Sequence, residues 1–187
     1  VVFCIGYLGE MVQDAVGDGS AFGLRVRYAF DGDRLLGTGG ALRRALPLLG
    51  GPFLVVYGDS YLPCDYAAVE ATFRRSGQPA LMTVFRNRGQ WDTSNVEMRA
   101  GAIVRYSKRE RTPAMQHIDY GLGALTPPVL LEAEQEVFDL AEVYERLVQQ
   151  GRMAVHEVHE RFYEVGSFAG LEEFRRYVQS HAMPGRA

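Results

Sequence analysis

Residues 53–66, FLVVYGDSYLPCDY, decide the fold, because they join the most strand-like run of the chain directly to an acidic residue. Residues 53–57 are apolar on both faces, which is typical of a central strand in a parallel sheet. The run ends at Gly58, and Asp59 follows at once. Ligands of such sheets bind beyond the carboxyl ends of the strands. The sequence therefore predicts that Asp59 lies on the ligand-binding rim.

Around this stretch, strand patterns alternate with helical ones. Strands are predicted at residues 1–5, 24–30, 53–57, 80–85, 117–125 and 152–158, with a hairpin at 94–107 that turns at residues 99–102. Helices are predicted at residues 8–16, 41–49 (ending near Pro47), 66–75, 139–149 and 168–178, and residues 31–40 are predicted as a loop. This order predicts an α/β fold with a mainly parallel sheet covered on both faces, formed by residues 1–180 and followed by a tail, 181–187.

Composition narrows the class of protein. The 187 residues are 47% hydrophobic and 23% charged, as in ordinary soluble domains. A net charge of −3 gives no general attraction to nucleic acid or to an anionic membrane. No apolar run approaches the roughly 20 residues that cross a bilayer, and no secretory signal opens the chain. Cys4 lies in an apolar run, which favours a buried, reduced thiol. Together these features lead us to expect a cytoplasmic protein. Because the sequence starts in mid-strand without a methionine, we expect an N-terminal portion to be missing.

Two acids at strand ends are candidate metal ligands. Asp59 either binds a cation or only caps the turn that follows it. Glu164 repeats the pattern, with Gly166 and Ser167 before the last helix. Mg²⁺ prefers one or two carboxylates together with phosphate oxygens and water, so the two acids could share one ion if folding brings them together.

A glycine-rich stretch precedes the second predicted helix. Gly37, Gly39 and Gly40 would allow a ligand to approach the backbone, and the free N–H groups of the helix would point to the same place. The stretch is neither a dinucleotide fingerprint nor a P-loop. It therefore predicts either a nucleotide contact or simply a tight turn.

Lys108 is the single lysine among twenty basic residues. A chain that uses arginine elsewhere could need a compact ammonium here, for example as a point charge on a phosphate. The alternative is a solvated charged turn.

In HEVHE, residues 156–160, the two histidines would point to opposite faces of a strand, so no zinc site is expected.

Taken in order, these segments resemble the sugar-1-phosphate nucleotidyltransferases, above all the bacterial branch that includes heptose- or mannose-1-phosphate guanylyltransferases and related uridylyl and thymidylyl enzymes. The resemblance covers nearly the whole chain through six segments: GYLGEMV (6–12), LLGTGGALRRAL (35–46), FLVVYGDSY (53–61), SNV with GAIVRYSK (94–96 and 101–108), IDYGLGAL (118–125) and RFYEVGSFAGL (161–171). It implies a Rossmann-like three-layer fold, truncated at its N-terminus, that transfers a nucleoside monophosphate from an NTP to a sugar 1-phosphate and releases pyrophosphate.

The resemblance also implies roles for residues. The nucleotide would be bound at Gly37, Thr38 and Gly39. Mg²⁺ would be held by Asp59 and Glu164, the second in a place usually taken by Asp or Asn. The sugar phosphate would be bound at Asn95, Lys108 and Asp119, with Asp59 and Lys108 catalytic. The partners would be an NTP and a sugar 1-phosphate, with no nucleic acid or membrane; a homo-oligomer is left open.

Besides Glu164, and besides Asn95 and Asp119, which stand where the family usually has Gly and Asn, this chain departs from the family pattern in two further respects. The family has a Glu-Lys pair where this chain has Ser107 and Lys108, which puts the sugar contact in doubt. The glycine-rich signature loop is absent, so we expect the 187 residues alone to be inactive. Two other functions compete. The first is a non-catalytic nucleotide-sugar binding or regulatory module of the same fold. The second is an NAD-type oxidoreductase, but this chain lacks the dinucleotide fingerprint after its first strand and the ribose-binding acid that should follow it.

Overall fold

A computed structural model describes residues 1–181 of the chain. The last described residue, His181, belongs to the final helix. Residues 182–187 of the predicted tail lie outside the described residues. No helix in residues 1–181 combines the length and the apolar character needed to span a membrane.

Strands and helices alternate along the described chain as the sequence predicts. The strands are β1 (Val2–Ile5), β2 (Arg27–Phe30), β3 (Phe53–Val56), β4 (Ser60–Tyr61), β5 (Ala80–Arg86), β6 (Val96–Arg99), β7 (Ala102–Tyr106), β8 (His117–Leu125), β9 (Met153–Val158) and β10 (Tyr163–Glu164). The helices are α1 (Gly9–Val16), α2 (Gly37–Ala45), α3 (Tyr66–Ser76), α4 (Pro128–Leu131), α5 (Leu140–Gln149) and α6 (Phe168–His181).

The main sheet is mixed. Five of its six strands follow the order β7-β6-β8-β5-β9, and the sixth, β3, also pairs with β8. β8 runs antiparallel to both β3 and β5, whereas β5 and β9 are parallel, so β3, β5 and β9 share one direction. A separate parallel pair joins β1 to β2. The predicted α/β fold is confirmed, and its main sheet is mixed: in contrast to the mainly parallel sheet that was predicted, only β5 and β9 pair in parallel among its described strands.

The predicted surroundings of β3 are wrong in two respects. Within residues 1–181 β3 pairs only with the antiparallel β8, because a run that is apolar on both faces does not reveal the direction of its neighbour. Its faces also differ: Val55 is buried in the core, whereas Leu54 and Val56 are 36% and 43% exposed.

Helices cover both faces of the main sheet, which gives the three layers. On one face, α5 contributes Leu140, Tyr144 and Leu147 to a core cluster that includes Val55 of β3. On the other face, α3 packs Val69 and Phe73 against the sheet. Burial of these amphipathic helix faces stabilises the fold and holds the carboxyl end of β3 in place.

Helix α2 begins earlier than predicted, at Gly37, so the second half of the predicted loop is helical. A Cβ at Gly37 would lie 2.6 Å from the Phe138 carbonyl oxygen, and one at Gly39 would overlap the Phe138 ring. The glycines thus allow α2 to pack closely against the segment before α5. This close packing, which local propensity does not reveal, supports a helix through the glycines.

Candidate functional site

Two adjoining cavities open at the carboxyl end of β3. The first, about 370 Å³, is called the glycine-loop cavity, and its lining includes Cys4, Asp31, Gly37, Thr38, Tyr57 and Asp139. The second, about 310 Å³, is called the carboxylate cavity, and its lining includes Tyr57, Asp59, Asn95, Lys108, Asp119 and Glu164. A larger cavity of about 680 Å³ lies at the opposite end of β3, where its charged residues Glu70 and Arg74 pair with each other. The chemistry-bearing side chains therefore converge on the two smaller cavities.

Asp59 and Glu164 face each other across a short strand pair. β4 and β10 are antiparallel with Ser60 opposite Glu164, and the Val165 N–H donates to the Asp59 carbonyl over 2.7 Å. A Cβ built on Gly166 would overlap Glu164 Oε1 and lie 3.6 Å from Asp59 Oδ2. The two carboxylates thus border the same small volume, as the sequence analysis required; their metal-binding role stays a prediction.

The pair has the donor chemistry that Mg²⁺ prefers. Both residues are exposed, and neither carboxylate forms an ion pair with another residue of 1–181. The described residues contain no group of three or more His, Cys, Asp or Glu side chains that could hold a metal. Two carboxylates leave coordination positions for water and phosphate oxygens, so the residues present fit Mg²⁺ bound together with a substrate.

Lys108 also lines the carboxylate cavity, just after β7. Its Nζ is 5.5 Å from the centroid of the Tyr57 ring. The preceding Ser107 is buried, and its Oγ accepts the backbone N–H groups of Arg109 and Glu110 over 3.3 and 3.1 Å. Ser107, which stands where the family has Glu, therefore shapes the turn that carries Lys108.

Asp119 is held firmly at the carboxylate cavity. Its Oδ1 accepts the Gly121 N–H over 3.1 Å, and its Oδ2 accepts the Tyr106 hydroxyl over 3.2 Å. Its own N–H donates to Asn95 Oδ1 over 2.8 Å. Burial raises the pKa of Asp119, while the Gly121 N–H, the Lys108 charge and the Tyr106 hydroxyl oppose that rise. The structure thus brings the three predicted sugar-phosphate residues, Asn95, Lys108 and Asp119, to one cavity.

The predicted nucleotide residues divide into two groups. Gly37 and Thr38 line the glycine-loop cavity, and the Thr38 Oγ accepts the Leu140 N–H over 2.8 Å. Gly39 is buried, and the N–H groups of Gly39 and Gly40 donate to the Phe138 carbonyl over 3.0 and 3.2 Å. The expectation that the N–H groups of this helix are free is therefore wrong for Gly39 and Gly40, because the close packing of α2 uses them.

Sequence reasoning assigned no role to two residues of the site, Asp31 and Tyr57. Asp31 is only 8% exposed, and its Oδ2 accepts the Leu36 N–H over 3.0 Å. It directly follows β2, so the strand-end position that singled out Asp59 could have found it. For Tyr57 the local pattern carries no such signal, because its position between the cavities depends on distant segments.

Sequence comparison finds a curated relative over part of the chain. No family model matches the chain. N-acetylmuramate alpha-1-phosphate uridylyltransferase of Neisseria meningitidis serogroup B is 44% identical over 73 residues, which are 38% of this chain and 32% of the relative. The match therefore spans about a third of the length of that curated relative.

Solved structures match nearly the whole chain. A putative glucose-1-phosphate thymidylyltransferase of Bacillus anthracis has a TM-score of 0.78 and 15% identity, over 95% of this chain and 74% of that one. The inositol-1-phosphate CTP transferase of T. maritima has a TM-score of 0.72 and 21% identity, over 97% and 74%. HddC of Yersinia pseudotuberculosis, complexed with GMP-PN, has a TM-score of 0.72 and 15% identity, over 92% and 75%.

This chain therefore has the same fold as these solved sugar-phosphate nucleotidyltransferases. The uridylyltransferase relative, which matches over 73 residues, supports the same family that the motifs indicate. The narrower branch of heptose- or mannose-1-phosphate guanylyltransferases is not supported, since these relatives differ in both nucleotide and sugar.

Proposed function

We propose that the protein transfers a nucleoside monophosphate from an NTP to a sugar 1-phosphate, giving an NDP-sugar and pyrophosphate, with Mg²⁺ as the cofactor. The observation that carries the proposal is the meeting of the Asp59 and Glu164 carboxylates at a cavity that also holds Lys108 and adjoins a second one. Paired acids and an ammonium group at one cavity, with a second cavity beside it, suit a reaction between two phosphate substrates.

In this proposal, each group has a part in an in-line displacement at the α-phosphorus of the NTP. Bound between Asp59 and Glu164, Mg²⁺ would neutralise charge on the α-phosphate. Lys108 fixes the phosphate of the sugar 1-phosphate as a point charge, so that a phosphate oxygen is oriented for attack. Gly37 and Thr38 contact the nucleoside, and Asn95 and Asp119 form hydrogen bonds with the sugar. Positioning and charge neutralisation supply most of the rate enhancement, since no covalent enzyme intermediate is needed.

The relatives define the substrates to try. Their names give uridylyl, thymidylyl and cytidylyl transfer, with N-acetylmuramate, glucose and inositol phosphates as acceptors. The complete protein should therefore be assayed for pyrophosphate release with UTP, dTTP, CTP and GTP, each against these acceptors and with Mg²⁺ or EDTA. We expect Mg²⁺-dependent release with at least one pair, and the isosteric Asp59→Asn variant should abolish it. Absence of turnover with every pair, despite a folded protein, would refute the proposal.

A second function is favoured by one observation: Ser107 replaces the family's acid and is committed to a turn. A non-catalytic module that binds nucleotide sugars would keep the cavities and lose the reaction. Calorimetry separates the two functions, because Mg²⁺-dependent NTP binding without any product would favour the module.

A further inference from the structure

Tyr57 is the only described residue that lines both the glycine-loop cavity and the carboxylate cavity. It directly follows β3, so the core contacts of that strand fix its backbone. On the side of β8, Gly121 has a φ of +96° and lies close to the ring: a Cβ there would be 3.7 Å from Tyr57 Cδ2. Tyr57 therefore lies at the partition between the two cavities.

The ring of Tyr57, and not its hydroxyl, makes the specific contact. The hydroxyl is buried without a hydrogen-bond partner among residues 1–181. The ring, in contrast, lies 5.5 Å from the Lys108 ammonium group, within the range of a cation–π interaction.

Lys108 has a competing partner in the same cavity. Asp119 also lines it, so its carboxylate is a second group that can attract the ammonium group. No ion pair within 4.0 Å joins Lys108 to an acid of the described chain. The ring contact offers the ammonium group a position in which it is not neutralised by a carboxylate.

We propose that Tyr57 is a positioning residue: its ring holds the Lys108 ammonium group beside the partition between the cavities, available to the phosphate of the sugar 1-phosphate. This inference rests on the proposed function. Without the ring, the flexible lysine side chain loses its preferred position and is drawn toward Asp119. The effect should then appear in the affinity for the sugar phosphate.

Two variants separate the ring from the hydroxyl. Tyr57→Phe keeps the ring and removes a hydroxyl that has no partner, so the affinity for glucose 1-phosphate, measured by calorimetry on the complete protein, should stay within about twofold. Tyr57→Leu removes the ring and should weaken binding about 3- to 30-fold, the range expected for loss of a cation–π contact. Equal losses in both variants, or none in Tyr57→Leu, would overturn the proposal.

A double-mutant cycle tests whether Tyr57 acts through Lys108. In a Lys108→Ala background, Tyr57→Leu should change the affinity for glucose 1-phosphate by less than about twofold. An unchanged 3- to 30-fold loss in that background would mean that the ring acts by packing alone, and the inference would fail.

A third measurement needs no ligand and no turnover. Because the 187 residues contain a single lysine, ¹³C-lysine labelling of this chain gives one ε-methylene signal. The aromatic ring should shift its proton resonance in the wild type and in Tyr57→Phe, and the shift should disappear in Tyr57→Leu. If the wild type shows no such shift, the contact is absent and the inference is wrong.

If glucose 1-phosphate binds with the expected pattern but no NTP is turned over, the transferase function fails while the role of Tyr57 stands.

Discussion

Alanine at position 166 would place a methyl group where the Glu164 carboxylate lies. The added Cβ would overlap Glu164 Oε1, the far end of a flexible side chain, and would come within 3.6 Å of Asp59 Oδ2. Gly166 is exposed and does not have a positive φ, so its backbone accepts alanine without strain. The carboxylate must therefore move, by roughly 1 Å to reach an ordinary contact distance.

This movement should separate metal binding from stability. Displacement of one of two carboxylate ligands should weaken Mn²⁺ binding about 10- to 100-fold, as is typical when the orientation of metal ligands is disturbed. This corresponds to about 1.4 to 2.8 kcal/mol of binding free energy. The free energy of unfolding should change by no more than about 0.5 kcal/mol, because the site is at the surface.

The affinity for Mn²⁺ is measured by calorimetric titration, and the free energy of unfolding of the same samples is measured in urea. Gly50→Ala is the matched control: it adds the same methyl group outside both cavities, where a Cβ meets no atom within 4 Å. The control should bind Mn²⁺ like the wild type. If Gly166→Ala also binds Mn²⁺ within twofold of the wild type, Glu164 is not a metal ligand and the paired-acid reasoning is wrong.

Three further predictions test the site and its scaffold. Asp59→Asn should lower turnover of the complete protein at least about 100-fold while the melting temperature stays within about 2 °C, because the residue is exposed; normal kinetics would exclude it as a catalytic residue. Gly123→Ala should lower the free energy of unfolding in urea by about 1 to 3 kcal/mol, since the Cβ would overlap the buried Tyr144 hydroxyl, and Tyr144→Phe should restore part of the loss. Burial, with a smaller effect from the charge of Asp31, raises the pKa of the Cys4 thiol to about 11. With the other cysteine replaced by serine, alkylation by iodoacetamide should therefore be slow at pH 8 and accelerate about tenfold per pH unit toward pH 11; a rate at pH 8 equal to that of a free thiol would contradict the burial argument.

The sequence alone predicted the elements whose side-chain pattern is strong and local. β8 occupies the nine residues that were expected, and α5 begins one residue after its predicted start. Both have long, regular hydrophobic patterns, and such patterns report which face of an element is buried. The candidate residues Asp59, Glu164 and Lys108 were also found in the sequence, because strand ends and unusual residue types are visible without coordinates, whereas Asp119 came only from the family resemblance.

Only the tertiary structure decided how those residues meet. Asp59 and Glu164 are more than 100 positions apart, and they face each other through a two-residue strand pair that is too short to leave a sequence pattern. The helical state of Gly37–Gly40 and the commitment of two of their N–H groups depend on Phe138, again about 100 positions away. The place of Tyr57 between the cavities likewise depends on β8 and on the turn that carries Lys108. Local patterns record the preferences of neighbouring residues, whereas contacts between distant segments arise from the path of the whole chain, and that path joins the separate motifs into one site.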